Sequence, residues 1–288
     1  MNVVGKERGE LKLPLLLGVM GDPIIQSKSP SMHRAALQAS GIEGTYVPLH
    51  VKGDRLEDAI KGVRALGFRG VNVTVPHKVE VMKYLDEVDE GARAIGAVNT
   101  IVNDGGVLKG YNTDGIGYIR SLKEEAAPDL AGKRVLVLGS GGAARGIVYA
   151  LLQESPARVT VANRTAEKAR ELAAEWSHLG ALQGCGMGEI GGVLPEIDIL
   201  INTTSVGMYP HPGQMPLDEA LLPSGIVVSD LIYNPLRTEL LLQAERKGCT
   251  IHNGIGMFVY QGGYAFEYWT GMPAPVDAMR AAVLSSLV

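Results

Sequence analysis

Residues 135–145 read Val-Leu-Val-Leu-Gly139-Ser140-Gly141-Gly142-Ala143-Ala144-Arg145, an apolar run that enters a glycine turn and continues into helix-forming residues. Glycines there let the backbone come close to a pyrophosphate, and the helix that follows offers unpaired N–H groups and a positive dipole end. The spacing departs from G-x-G-x-x-G, since Ala144 takes the close-packing position and Gly146 is displaced. Context strengthens the signal: Arg158–Ala162 reads as a second strand at the spacing of a βαβ unit. At the end of that strand, where an NAD-selective chain usually carries Asp or Glu, stand Asn163-Arg164-Thr165, with Lys168 one turn further on. A carboxylate would repel a 2′-phosphate, whereas a guanidinium binds it bidentately, which favours NADP. The competing structural reading is a solvated Arg164 beside Thr165 as a helix N-cap.

Four polar clusters in the first half complete the candidate chemistry. Ser27-Lys28-Ser29-Pro30 puts two hydroxyls beside a helix start, suited to a carboxylate or hydroxyl ligand, although serines there are more commonly caps. Asn72-Val-Thr74-Val-Pro76-His77-Lys78 alternates polar and apolar residues and places a lysine just past a strand's carboxyl end, where open α/β sheets bind ligands. Asn99 and Thr100 also fit a turn or strand edge, and Asp114, in Asn112-Thr113-Asp114-Gly115, also fits a helix cap. A nicotinamide-dependent reaction at a hydroxyl needs a proton-transfer group, and these clusters offer one.

The elements that must position these residues alternate. Leu13–Met20 reads as a buried strand, Ser29-Pro30 as the N-cap and first proline of a helix to Ala39, and 45–50 as strand. A helix over 55–66 and a strand over 70–75 follow, and 98–102 and 107–111 form a hairpin around Asn103-Asp104-Gly105-Gly106. Helix is predicted from Gly115 to Lys123, then strands at 134–138, 158–162, 198–202 and 226–231 with helices between them, as in an open parallel sheet. Two apolar helices, 257–268 and 276–286, return to the first half. The fold class is therefore α/β with two domains: a mixed-sheet substrate domain of residues 1–113 plus 255–288, and a Rossmann-like NADP-binding domain of residues 114–254.

Composition narrows the function classes. The 288 residues carry 46% hydrophobic and 20% charged side chains, with a net charge of −4 and a pI near 5.9. Such a balance gives no electrostatic case for nucleic acid or an anionic membrane as partner. Cys185 and Cys249 are too few for a disulfide framework, and the simplest reading is a reduced, cytoplasmic protein. Leu13–Met20 follows basic residues as a signal peptide would, but it is short and lacks an A-x-A-like cleavage site. No apolar run has the length of a membrane span, and the six histidines show no metal-ligand spacing, so no metal is expected.

Along nearly its whole length the chain resembles the shikimate dehydrogenase family. The resemblance is carried by S-K-S-P-S-M-H at 27–33, N-V-T-V-P-H-K at 72–78, G-A-V-N-T at 96–100 and N-T-D-G at 112–115. It continues through Asn202–Met208, Asp230–Pro235 and Gly254–Met257 with Gln261. It implies reversible NADP-dependent reduction of 3-dehydroshikimate to shikimate, on the route to chorismate and the aromatic amino acids. It further implies Lys78 and Asp114 as the catalytic pair, and Ser27, Ser29, Thr74, Asn99, Tyr233 and Gln261 as substrate contacts alongside them. For the cofactor it implies Gly139, Ser140, Gly141, Gly142, Ala143, Asn163, Arg164, Thr165, Lys168, Thr203, Leu231 and Gly254. Met208 and Met257 would lie near the nicotinamide, and Glu90 at a peripheral position. A lysine ammonium suits a developing alkoxide, and the share of Asp114 in proton transfer is left open.

Arg34, Gly262-Gly263 and His252-Asn253 depart from the family's usual residues and leave substrate breadth open. The alternatives are a quinate/shikimate dehydrogenase using NAD or NADP, and a catalytically silent NADP-binding sensor. The chain is expected to act on small molecules as a monomer or homodimer.

Overall fold

The computed structural model describes residues 13–287, so residues 1–12 and 288 of the expected first domain lie outside the described residues. The first half runs β1 (Leu15–Gly21), α1 (Ser29–Ala39), β2 (Gly44–His50), α2 (Leu56–Ala65), β3 (Gly70–Val73), β4 (Glu87–Val88), α3 (Glu90–Ile95), β5 (Thr100–Asp104) and β6 (Val107–Tyr111). Their sheet has the order β2-β1-β3-β5-β6-β4, with β1 parallel to β2 and β3, and β5 antiparallel to both β3 and β6. It is the expected mixed sheet. The Leu13–Met20 run thus forms an interior strand whose last five residues, Leu17–Gly21, are buried. In the β5–β6 hairpin Gly105 and Gly106 have φ of 59° and 98°, the pair of positive values that a type I′ turn needs.

The second half runs α4 (Asp114–Glu125), β7 (Arg134–Leu138), α5 (Gly142–Leu152), β8 (Arg158–Asn163), α6 (Ala166–Glu175), β9 (Leu182–Gly186), β10 (Ile199–Asn202), β11 (Val227–Asp230), α7 (Glu239–Arg246), β12 (Thr250–His252), α8 (Ile255–Thr270) and α9 (Val276–Ser285). This sheet is wholly parallel, in the order β12-β11-β10-β7-β8-β9. The strand order reverses between β7 and β10, and the glycine turn follows β7 at that switch point, where doubly wound sheets bind ligands.

Each sheet is covered on both faces. Tyr118, Ile119 and Leu122 of α4 join β7, β8, β10 and α5 in one core, while α7 covers the opposite face with Leu240 and Leu241. Val259, Phe266 and Trp269 of α8 and Met279 and Val283 of α9 pack instead with Leu17, Val19 and Tyr46 of the first sheet, so the chain's last two described helices return to it.

Several short elements escaped the sequence pattern. Strand β4 has two residues and β12 three, too few to show alternation, and β9 is an edge strand, Leu-Gln-Gly-Cys-Gly, with little to mark it as strand. Helix α3 has only six residues, delimited by Asp89, which accepts from the Gly91 N–H, and by Gly96 in the left-handed conformation. Two predicted caps are corrected. Lys28 occupies the N-cap of α1, Ser29 being already helical, and Thr113 precedes α4, whose first residue is Asp114. Thr165 is at the N-cap of α6, but its side chain makes no capping bond.

Candidate active site

Sheet topology explains why distant motifs meet. Because β1 and β3 are parallel and β5 and β6 reverse direction twice, the end of β1, the end of β3, the start of β5 and the end of β6 share one sheet edge: Met20 pairs with Val73, Asn72 with Thr100, and Thr100 with Tyr111. The segments following those ends carry Ser27 and Ser29, Thr74 and Lys78, and Asp114, while Asn99 immediately precedes β5.

There, Lys78 Nζ donates to Asp114 Oδ2 at 2.7 Å, the lysine side chain being 26% and the aspartate 10% exposed. Asn99 Nδ2 donates to the other carboxylate oxygen at 2.8 Å, and Asn99 Oδ1 accepts from the Thr113 N–H at 2.9 Å, which settles the amide's orientation. Asp114 therefore does not cap a helix; its carboxylate is divided between an ammonium and an amide. The Lys78 carbonyl accepts from Val98 N–H at 2.8 Å, and Asn99 N–H donates to Tyr111 O at 3.0 Å, tying the three segments by backbone.

The remaining predicted substrate residues lie after β1 and β3, in the loop after β11 and on α8. Ser29 N–H donates to Ser27 Oγ at 3.3 Å. Nearby on β2, burial pushes the Tyr46 phenol well above its ordinary range. Thr74 donates its N–H to Met20 O at 2.9 Å. Gln261 of α8 donates its side-chain amide to Phe258 O at 2.8 Å, while its backbone carbonyl accepts from Thr113 Oγ1 at 3.0 Å. Tyr233, from the loop after β11, stacks on Phe258 with ring centroids 4.6 Å apart, and it packs on the core of the first sheet; burial raises its phenol. Sequence reasoning passed over Thr113, Tyr46 and Asn72, although Asn72 lay in a quoted motif; a polar residue inside an otherwise apolar strand was the available signal.

On the other side stands the glycine turn. Gly139 has φ of 105°, and a Cβ on it would come 2.7 Å from Thr203 Oγ1, which itself donates to Leu138 O at 2.6 Å, so Gly139 and Thr203 are neighbours. A Cβ on Gly141 or Gly142 would meet nothing within 4 Å, and no side chain caps α5, leaving an open backbone cradle at a helix N-terminus. Arg145, two residues after Ala143, is not free for this cradle: Glu175 holds its guanidinium at 2.7 and 2.9 Å, and Trp176 stacks on it.

At the end of β8, Asn163 Nδ2 donates to Thr165 O at 3.0 Å; Arg164 and Lys168 are exposed, and neither has an ion-pair partner among the described residues. These residues fit a phosphate-bearing adenosine cofactor, since an open cradle and uncommitted cations are what its anionic groups require. Gly254 and Leu231 touch: a Cβ on Gly254 would fall 1.9 Å from Leu231 O. Met257 and Gln261 are four residues apart on α8 and so share a face, whereas Met208 is 46% exposed on the loop after β10. Glu90 is not brought to the cradle. It is exposed in the first turn of α3, whose Gly91 neighbours Tyr149, seven residues or about 10 Å along α5 from Gly142.

A cavity of about 600 Å³ lies between α3, α4, α5 and α8 with Tyr149, Tyr264 and Tyr268 in its walls. It includes neither Lys78 nor the glycine turn. Chemistry rather than concavity locates the site.

Comparisons with known proteins place the chain in a family. Family models described as the shikimate dehydrogenase substrate binding domain, shikimate / quinate 5-dehydrogenase and the shikimate 5′-dehydrogenase C-terminal domain match residues 19–101, 121–209 and 254–284. A shikimate dehydrogenase (NADP(+)) of Geobacillus sp. strain WCH70 is 50% identical over 272 residues, which cover 94% of this chain and 98% of the relative. The structure of shikimate 5-dehydrogenase from Thermus thermophilus in complex with NADP(H) and shikimate superposes with a TM-score of 0.86 at 37% identity, covering 95% of this chain and 100% of that one. Quinate dehydrogenase from Corynebacterium glutamicum in complex with NAD superposes with a TM-score of 0.89 at 33% identity, covering 94% and 99%. With an identity of one half over nearly the full length and matching models on both halves, the chain belongs to the shikimate dehydrogenase family.

Proposed function

We propose that this protein catalyses the reversible NADPH-dependent reduction of 3-dehydroshikimate to shikimate, a step of aromatic amino acid biosynthesis, in the cytoplasm. The observation that carries the reading is the Lys78–Asp114 pair at 2.7 Å where the two units join, combined with the open glycine cradle of the second. We divide the chain accordingly: residues 1–113 with 255–288 bind substrate and residues 114–254 bind NADP. The packing of α8 and α9 on the first sheet supports that division. Among the described residues no helix is long and apolar enough to cross a membrane.

Bound NADPH supplies the hydride that adds to the substrate's carbonyl carbon. Lys78 carries the proton chemistry: its ammonium donates to the carbonyl oxygen as that oxygen gains charge, and in the reverse direction the neutral amine takes the hydroxyl proton. Asp114 fixes the ammonium through Oδ2, and Asn99 holds Oδ1 so that the carboxylate keeps one orientation. Ser27 and Ser29 bind the substrate carboxylate with their hydroxyls, while Thr74, Asn99, Tyr233 and Gln261 bind the ring substituents. Gly139 to Ala143 receive the pyrophosphate on backbone N–H groups, and Thr203 supports that turn. Arg164, with Asn163, Thr165 and Lys168, binds the 2′-phosphate. Leu231, Gly254, Met208 and Met257 border the nicotinamide, and Glu90 stands at a peripheral position.

Steady-state kinetics on shikimate and quinate, each with NADP+ and NAD+, test the reading. Shikimate with NADP+ should give the highest kcat/KM of the four pairs. A preference for quinate with NAD+, or no shikimate-dependent reduction of NADP+, would refute it.

A further inference from the structure

Asn72 lies inside β3, where an amide is a poor strand residue and a β-branched side chain would pack at less cost. It is 6% exposed, and its hydrogen-bonding groups are all engaged: Oδ1 accepts from Tyr46 OH at 2.7 Å, and Nδ2 donates to Asn99 O at 3.2 Å and Thr100 Oγ1 at 3.1 Å. A breach of local preference that is fully satisfied in the fold marks a functional demand. We propose that Asn72, anchored by Tyr46, is a positioning residue that holds Asn99, and through it the Asp114 carboxylate facing Lys78. The inference rests on the reaction assigned above.

The donors run one way. The Thr100 hydroxyl accepts from Asn72 and donates to Asn99 Oδ1 at 3.0 Å, closer than its other neighbour, Thr113 Oγ1, at 3.4 Å. Asn99 then directs Nδ2 at Asp114 Oδ1. Without the Asn72 donor, Thr100 is free to turn its hydrogen toward position 72, and Asn99 loses one of the bonds that orient it. At its other end Tyr46 stacks on His33 of α1 with ring centroids 4.3 Å apart. One buried line of hydrogen bonds thus joins Tyr46 of β2 to the catalytic pair. None of the hydrogen bonds of Asn72 goes to Lys78 or Asp114 themselves.

Asn72→Asp tests this with nearly unchanged volume. An ionised Asp at position 72 keeps the acceptor for Tyr46 but presents an oxygen to Asn99 O and Thr100, whereas the protonated acid donates as the amide did. The titratable or charged groups around the position are Tyr46 on β2, His33 on α1 behind it, Asp114 on α4 and Lys78 after β3. Relative to wild type, kcat of Asn72→Asp should be lower by about 30-fold at a pH of about 8 and by only about 5-fold near pH 6, with KM for shikimate within about twofold; the scale is that of a misplaced catalytic group. Asn72→Ala should show a deficit that does not change with pH. Tyr46→Phe keeps the ring on His33 and removes the anchor, and should lower kcat about 5-fold at constant KM. An active wild type with Asn72→Asp tracking Asn72→Ala at every pH, or with Tyr46→Phe at full kcat, overturns the positioning role. A wild type that does not reduce NADP+ with shikimate overturns the functional reading instead.

Discussion

Replacing Lys78 by methionine keeps the apolar stem and deletes the ammonium that stands 2.7 Å from Asp114 Oδ2. Loss of a donor aimed at a developing oxyanion costs about 10²- to 10³-fold in kcat, and loss of a general acid about 10²- to 10⁴-fold. A single N–H supplies both effects here, so they do not multiply, and a fall of about 10³-fold, or about 4 kcal/mol of barrier, is expected. KM should change by less than about fivefold, because the substrate carbonyl is neutral in the ground state and gains charge only toward the transition state. Stability should suffer little. Asp114 keeps the Asn99 amide at 2.8 Å, and the lysine is 26% exposed, so the loss should be about 1 kcal/mol, well below the 3–5 kcal/mol or so for stripping a fully buried pair. Initial rates of NADPH oxidation with 3-dehydroshikimate, a titration of that substrate and a thermal melt measure the three quantities. A folded variant whose kcat lies within about tenfold of wild type, or one that loses only KM, refutes Lys78 as the proton-transfer group.

Arg164→Ala should raise KM for NADP+ by about 10- to 100-fold and leave NAD+ within about twofold, because only the former carries the phosphate; equal weakening of both contradicts the selectivity assigned to the end of β8. Gly254→Ala forces a Cβ to within 1.9 Å of Leu231 O and should lower unfolding stability in urea by about 2–3 kcal/mol, a wild-type midpoint being the contrary result. Acid should destabilise the fold with a definite slope. Burial holds His33 near 3 and His252 near 4, below their ordinary 6.5, so both take up protons on unfolding, while burial raises Asp230 from 3.8 to about 6, so it releases one. Between about pH 6 and 4.5 the unfolded chain therefore binds one net proton more from these three groups, and stability should fall by about 1.4 kcal/mol per pH unit as pH drops. Urea midpoints that stay level or rise across that window would contradict this balance.

Much of the fold was legible because its signals are local. Both parallel series of strands announce themselves as apolar runs, and the β5–β6 hairpin as a glycine pair; the elements that were missed are those too short for a period to appear, such as β4, β12 and α3. The site divides in the same way. Arg164 and the glycine turn could be read from their place along a strand-turn-helix, but Asp114, which reads equally well as a cap, acquires its different role only through Lys78, 36 positions earlier. Arg145 looks available beside the glycines, yet Glu175, 30 positions later, takes it.

What the amino-acid order determined by itself was the set of reactive side chains and the short-range geometry around each, because turn, helix and strand preferences act over a few residues. It also carried the family resemblance. Tertiary structure decided which of those groups meet: the reversal of β5 and β6 brings Asn99 and Asp114 beside Lys78, and Tyr46 and Asn72 supply a buried chain of donors behind them. Hydrogen bonds form only within about 3 Å, and across that gap strand register, not position in the chain, determines which groups meet.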